Sequence, residues 1–173
     1  KQAFQSDDLG KTISEAQKSV FNSNLAIATS ELKSGQKKKN IQNENAILED
    51  FSKIPNVIVR STEKGIAISF SIDSFDKNGR LTRDTMTRLK NIAESLKKYP
   101  DYKILVEGHT DNSGKEDANI FLSSDRASAV LIHLANVEGV PIDRLSSVGY
   151  GSLRPLVSNS DEAGRKQNRR IDI

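Results

Sequence analysis

The chain has 173 residues, with 26 lysine and arginine residues against 23 aspartate and glutamate residues, and it contains no cysteine. The lack of cysteine excludes disulfides, a thiol nucleophile and any cysteine-ligated zinc or iron–sulfur site. The formal net charge of +3 is small and charges of both signs are interspersed, so the composition does not favour nucleic-acid binding. No apolar run in the sequence approaches the roughly 18 residues that a membrane helix needs.

The composition changes near Pro55. Residues 1–55 contain eight lysines and no arginine, whereas residues 56–173 contain all ten arginines. Apolar residues in the first region recur at helical spacing, namely Leu9, Ile13, Ala16, Val20, Ile27, Ile41, Leu48 and Phe51. This spacing predicts one long amphipathic helix, or a helical hairpin that breaks near Ser34-Gly35. We interpret residues 1–55 as a coiled-coil-like appendage or linker, able to form a homodimer through its helix, and residues 56–173 as the folded domain.

The second region alternates between strand and helix patterns. Strands are predicted at residues 57–60, 66–72, 103–107, 145–149 and 170–173, and helices at residues 82–99 and 123–137. Gly65 supplies the turn between the first two strands, and Pro100 ends the first helix. Residues 150–168 are predicted to be irregular. The order ββαβαββ indicates an α+β sandwich, with two helices packed on one face of a small mixed sheet.

The junction between the third strand and the second helix of this domain carries the most informative chemistry. Ligands often bind where the carboxyl end of a strand lies beside the amino end of the next helix. Asp111 follows the strand and suits a cation, and Arg126 is predicted near the helix start, where it suits a carboxylate or phosphate. The pair therefore predicts a site for a zwitterion that carries a carboxylate and an ammonium. A direct ion pair between Asp111 and Arg126 is the alternative that the pattern leaves open.

Other chemistries find less support in the sequence. His109 and His133 lie on different predicted elements, and no third ligand stands at an evident spacing from them. No Gly-x-Ser-x-Gly nucleophile motif is present. The basic run from Arg165 to Arg170 has no aromatic platform beside it, which argues against nucleic acid. We therefore predict a protein that is not an enzyme, with no metal and no cofactor.

Several motifs resemble the signature of OmpA-like peptidoglycan-binding domains. The first group comprises residues 106–114, Asn119 and residues 122–127. The second group comprises residues 144–145, residues 149–151, Pro155, Asn159 and residues 164–171. Both occur in the family's order and spacing over about 110 residues, from Ile66 to the end. The family includes the C-terminal domain of OmpA, the Pal lipoprotein and the periplasmic domain of the flagellar stator protein MotB.

This resemblance implies a domain that grips the peptide stem of peptidoglycan at diaminopimelate. By position, Asp111 would bind the ammonium of diaminopimelate and Arg126 its carboxylate, with Arg169 close by. The matching positions imply supporting roles for Thr110, Asn119, Leu122 and Ala127. A Phe-Asp loop of the family matches Phe75 and Asp76, although Phe75 stands six residues before Leu81, one residue closer than is usual.

The resemblance also implies a location and a biological role. We expect a periplasmic protein that is attached to the outer membrane and anchors an envelope structure to the cell wall. Contact with a membrane would come through a segment outside this chain. The alternative role is the periplasmic domain of a MotB-like stator, which would place the anchor in the inner membrane.

Overall fold

In a computed structural model of the chain, the structure describes residues 43–63, 65–71, 75–76 and 79–173. The predicted apolar stripe from Leu9 to Ile41 lies outside these described residues, as does the choice between one long helix and a hairpin. The chain divides into two compact units, Lys1–Asn45 and Ala46–Ile173. The second unit contains every element described below, apart from the first residues of the first helix.

The compact unit begins earlier than the sequence predicts. A helix, α1, covers residues 43–52. Ile47 and Phe51 lie one helical turn apart and are 5% and 1% exposed, and Ile54 after them is also buried. All three belong to the hydrophobic core. The predicted boundary at residue 56 therefore cuts through the domain, because these apolar side chains pack on the domain itself.

Five strands form one mixed sheet. They are β1 Ile58–Thr62, β2 Gly65–Ser71, β3 Ile104–His109, β4 Leu145–Gly149 and β5 Arg170–Asp172. The order across the sheet is β1-β2-β5-β3-β4, and β3 and β4 are its parallel pair. The β1–β2 hairpin closes at the pair Thr62 and Gly65, where Gly65 has a φ of 126°. The predicted glycine turn is confirmed, because few other residues adopt this backbone conformation.

The helices differ from the prediction at two places. Helix α2 spans Arg83–Lys97, α3 spans Glu116–Asn136 and α4 spans Glu162–Asn168. Helix α3 therefore begins seven residues before the predicted start at Ser123. Two acidic residues, Glu116 and Asp117, occupy its first turn, where their negative charges interact favourably with the positive end of the helix dipole. Helix α4 lies in the segment that was predicted to be irregular.

The hydrophobic core lies on one face of the sheet. Helices α1, α2 and α3 all contribute to it, which confirms the predicted α+β fold and adds α1 to its helices. The sheet contributes Ile68, Phe70, Ile104, Val106 and Ile171, and the helices contribute Leu89, Ile92, Ala93, Leu96, Ala127, Val130 and Leu134. Strand alternation turns Arg60, Glu107, His109, Arg170 and Asp172 to the opposite face. Within the described residues, no helix has the length and apolar character needed to cross a membrane.

Two glycines bring α3 very close to the sheet. A Cβ atom at Gly108 would overlap the carbonyl oxygen of Ser123, and one at Gly149 would overlap the backbone nitrogen of Ser124. Both glycines lie near the ends of the parallel strands β3 and β4. The second turn of α3 can therefore rest directly on the sheet edge where the candidate site lies.

Candidate ligand-binding site

The strand register brings the candidate residues to one edge of the sheet. His109 pairs with Arg170, and Arg170 pairs with Ser71 on its other side. These three residues form one row across β3, β5 and β2. The chain segments that leave this row carry Asp111, Arg169 and Phe75. Residues that are far apart in sequence thus meet at the same edge.

Asp111 is buried and is paired with an arginine. Its side chain is 9% exposed, and its Oδ2 accepts a hydrogen bond of 2.6 Å from Nη1 of Arg169. The backbone N–H of Ser113 donates to its Oδ1 at 2.9 Å. Burial alone would raise the pKa of Asp111, but the hydrogen bonds from Arg169 and Ser113 outweigh it and leave the pKa below its ordinary value. Asp111 is therefore a carboxylate at neutral pH.

Arg126 has no carboxylate partner among the described residues. It is half-buried, and its Nε lacks a hydrogen-bond acceptor within the part of the chain that the structure describes. The guanidinium carbon lies 5.5 Å from the centre of the Phe75 ring, a cation–π contact. Burial lowers the pKa of Arg126 from its ordinary value, yet an arginine stays charged in proteins. The site thus holds a guanidinium that is partly desolvated and available for an anion.

For Arg126, the structure excludes the ion pair that the sequence left open, and the predicted position at the helix start is wrong. Arg126 does not pair with Asp111, because Asp111 pairs with Arg169. It also does not lie at the helix start, since α3 begins at Glu116, about three turns earlier. Ser123 is accordingly not a helix cap: its hydroxyl donates to the carbonyl of Ile120 and accepts from the backbone N–H of Gly151. The argument from free helix N–H groups does not apply to Arg126.

Three of the four supporting residues lie around the Asp111 loop or on the adjacent helix surface. The hydroxyl of Thr110 donates to the carbonyl of Asp111 at 2.8 Å. The side-chain amide of Asn119 donates to the carbonyl of Ser113 at 2.9 Å, which ties α3 to this loop. Leu122 is 42% exposed, so its side chain is accessible to a ligand. Ala127 is fully buried in the core and acts through packing beside Arg126.

The Phe-Asp segment forms a short loop of its own. Phe75 makes an isolated antiparallel bridge to Leu81, and its ring supports Arg126. The carboxylate of Asp76 accepts a hydrogen bond from the backbone N–H of Arg80 at 2.9 Å. Phe75 is therefore in contact with a candidate ligand-binding group, whereas this hydrogen bond of Asp76 stabilises the loop.

Glu162 is part of the site environment that the sequence did not reveal. Its Oε1 accepts a hydrogen bond of 2.6 Å from Nη2 of Arg169. The sequence signal that could have identified Glu162 is its spacing, because Arg165 and Arg169 follow it by three and seven residues. That spacing places side chains together on a helix, but the segment was predicted to be irregular.

His109 lies on the face of the sheet opposite the hydrophobic core, among charged side chains. Its Nε2 is 3.6 Å from Asp172 and 3.9 Å from Glu107, a grouping that could contribute ligands to a metal ion. However, Arg170 already donates to Asp172 at 3.0 Å, and Arg60 lies 3.7 Å from the same carboxylate oxygen. These positive charges oppose a further cation, so we assign no metal site to this cluster.

Acid is expected to destabilise the domain through His109. Burial, and secondarily the charge of Arg170, lower the pKa of His109 to about 4. The unfolded chain, with an ordinary histidine pKa near 6.5, binds the proton more readily between these values. This contribution to stability is complete above pH 6.5 and is lost as the pH falls towards 4, by about 3 kcal/mol. Urea unfolding near pH 7 and near pH 4.5 measures the loss.

The matched variant for this prediction is His109→Gln, which should flatten the pH dependence over that interval. An NMR titration of the His109 ring in the wild-type domain provides a direct check. A ring that takes up its proton near its ordinary pKa of 6.5 would contradict the prediction.

Fold and site together define a small α+β binding domain that presents a carboxylate and a separately held guanidinium at one edge of its sheet. The chain belongs to the OmpA family, whose model matches residues 75–169. That range begins at Phe75 and ends at Arg169, and it includes all the candidate site residues. The resemblance predicted from the sequence motifs is confirmed.

Similar proteins include peptidoglycan-binding and envelope proteins. The chain is 42% identical over 85 residues to the peptidoglycan-binding protein ArfA of Mycobacterium tuberculosis, covering 49% of this chain and 26% of ArfA. The structure resembles the peptidoglycan-associated lipoprotein of Burkholderia pseudomallei, with a TM-score of 0.53 and 34% identity, covering 60% of this chain and 86% of that one.

The fold is also shared with the periplasmic domain of Helicobacter pylori MotB, with a TM-score of 0.60 and 24% identity. That likeness covers 70% of this chain and 79% of the MotB domain, and at this identity it concerns the fold alone. The chain spans between about a quarter and two fifths of the length of the curated relatives that it matches.

Proposed function

We propose that this domain binds the peptide stem of peptidoglycan without covalent chemistry and so anchors an envelope protein to the cell wall. The observation that carries the proposal is Arg126. It is a half-buried guanidinium with no carboxylate partner in the described chain, in the same domain as the buried carboxylate of Asp111. A partly desolvated charge without a partner costs folding free energy, and a ligand that supplies the opposite charge would offset this cost.

The chemistry of diaminopimelate matches these two groups. The side-chain end of this residue carries a carboxylate beside an ammonium. The fork of Arg126 suits the carboxylate, because two parallel N–H donors match its two oxygens. The carboxylate of Asp111 suits the ammonium. A stem with lysine as its third residue offers the ammonium but not the carboxylate, so we propose diaminopimelate stems as the preferred ligand.

The family relationship supports a binding role over an enzymatic one. ArfA is a peptidoglycan-binding protein, and the Burkholderia protein is a peptidoglycan-associated lipoprotein. Such a role places the domain in the periplasm, with attachment to the outer membrane as the proposed arrangement. A nucleophile with an activating base is also not evident among the candidate site residues.

The direct test uses isolated peptidoglycan sacculi and the complete chain. We expect the protein to sediment with diaminopimelate-containing sacculi, and a soluble tripeptide of alanine, γ-glutamate and diaminopimelate to compete for it. The muropeptide profile of the sacculi should be unchanged after incubation. Failure to sediment would contradict the binding proposal, and cleaved muropeptides would establish an enzyme instead.

The MotB-like alternative shares the same ligand and differs in the anchor. A single membrane helix encoded just before this chain would favour a stator, whereas a lipidated cysteine or a β-barrel would favour an outer-membrane tether. A homodimer through residues 1–55 is compatible with both roles and is tested by sedimentation equilibrium.

A further inference from the structure

Glu162 is connected to Asp111 through Arg169. Nη1 of Arg169 donates to Oδ2 of Asp111 and Nη2 donates to Oε1 of Glu162, each at 2.6 Å. The second oxygen of Glu162 accepts from Nε of Arg165 at 3.0 Å. The four side chains therefore form a row of alternating charge, in the order Arg165, Glu162, Arg169 and Asp111.

The start of α4 holds Glu162 in this position. The carboxylate of Asp161 caps the helix by accepting from the backbone N–H of Gly164 at 2.7 Å. Glu162 follows as the first helical residue, so its side chain reaches Arg165 one turn later. Nη1 of Arg165 is held in turn by the carbonyl of Asn159 at 3.1 Å. The carboxylate of Glu162 is thus fixed from two sides.

This arrangement changes how Arg169 contacts Asp111. An arginine and a carboxylate often pair through two parallel hydrogen bonds, which occupy both carboxylate oxygens. Here Glu162 takes the second nitrogen, so Arg169 gives Asp111 one hydrogen bond. From the described residues, Asp111 accepts this bond and one from the backbone N–H of Ser113, and the hydroxyl of Ser113 also interacts with its carboxylate. A carboxylate has about four acceptor positions, so Asp111 retains capacity for the donors of an ammonium.

Glu162 also balances charge beside Asp111. Without it, the row would hold two arginines, Arg169 and Arg165, against the single carboxylate of Asp111. The hydrogen bonds of Arg169 to Glu162, and to a lesser extent to Asp111, raise the pKa of Arg169, so the arginine remains charged. The negative charge of Glu162 offsets part of its field at Asp111, which matters for a ligand that brings a further positive charge.

We infer that Glu162 is a positioning residue for the ammonium of the ligand: it holds Arg169 away from a two-bond contact with Asp111 and keeps an acceptor position open there. The inference rests on the proposed function, because it concerns the same stem-peptide site. It makes Glu162 a determinant of the preference for an ammonium-bearing stem, although the side chain itself is 65% exposed.

The test compares two synthetic tripeptides that differ in one group. One ends in diaminopimelate, and the other ends in 2-aminopimelate, which keeps the side-chain carboxylate and lacks the ammonium. For Glu162→Ala, calorimetry should show a loss of about three- to tenfold in affinity for the diaminopimelate peptide. Affinity for the aminopimelate peptide should stay within about twofold of wild type, because Arg126 still binds its carboxylate. Glu162→Gln, which keeps an acceptor oxygen but no charge, should fall between Glu162→Ala and wild type.

Glu63→Gln is the matched control, since it removes one exposed carboxylate from the β1–β2 turn at the opposite edge of the sheet. It should change neither affinity. Equal losses for both peptides in Glu162→Ala, or no loss for either, would overturn the inference. If wild-type protein binds neither peptide, the proposed function itself fails, and this result is distinct from the other two.

Discussion

Replacing Arg126 with alanine is expected to abolish binding of the diaminopimelate tripeptide. The guanidinium is half-buried and lies over Phe75, so its bond to a carboxylate would form in a partly desolvated place. Removing one member of such a pair typically costs about 2–5 kcal/mol, which corresponds to a loss of roughly thirtyfold to several thousandfold in affinity. Isothermal titration calorimetry of the variant and the wild type measures this change.

Two further variants sharpen the result. Arg126→Lys keeps the charge but loses the planar fork, so it should restore a minor part of the affinity. Lys97→Ala removes an exposed cation from the last turn of α2 and should leave the affinity unchanged. Tight binding by Arg126→Ala in a folded protein would contradict the assignment of the carboxylate to Arg126.

The second large effect is expected in stability. Phe51 is 1% exposed and packs in the core from α1, before the boundary that composition predicts. Phe51→Ala should lower the free energy of unfolding by about 3–5 kcal/mol, because it removes buried apolar surface and leaves a cavity. Urea unfolding of the variant at neutral pH measures the effect.

The control is Glu49→Ala on the exposed side of the same helix. The Glu49 side chain is 75% exposed and pairs with Lys53 at 3.1 Å, an interaction of little weight at a surface. A fragment that begins at residue 56 should be less stable than Phe51→Ala, because it also lacks Ile47 and Ile54, whereas one that begins at Ala46 should fold. Near-equal stabilities of the two fragments would show that α1 is dispensable.

The site residues remain a prediction from the sequence, and for Arg126 the reason behind that prediction is partly wrong. Both Asp111 and Arg126 were selected as a zwitterion site, and the structure separates them into a paired carboxylate and an unpaired guanidinium. The selection of Arg126 used a helix start that lies in fact at Glu116. Local patterns cannot locate a helix start precisely when residues with helix-forming tendency precede it.

Glu162 illustrates a different limit of prediction from the sequence. Its contact with Arg169 depends on a seven-residue helix in a segment rich in serine, asparagine and glycine. Such a short helix is marginal by propensity alone and forms because the surrounding structure holds it. The side chain of Asn168 shows this support, since it accepts from the backbone N–H groups of Leu156 and Val157.

By itself, the sequence determined the order of the five strands and of helices α2 and α3, the glycine turn at Gly65 and the family. These features depend on local periodicity, turn chemistry and motif spacing, which can be recognised directly in the amino-acid sequence. The tertiary structure alone decided that Ile47 and Phe51 belong to the core, that Arg169 rather than Arg126 pairs with Asp111, and that Glu162 joins them. Those outcomes depend on which residues meet across β2, β5 and β3, and strand register is a long-range property.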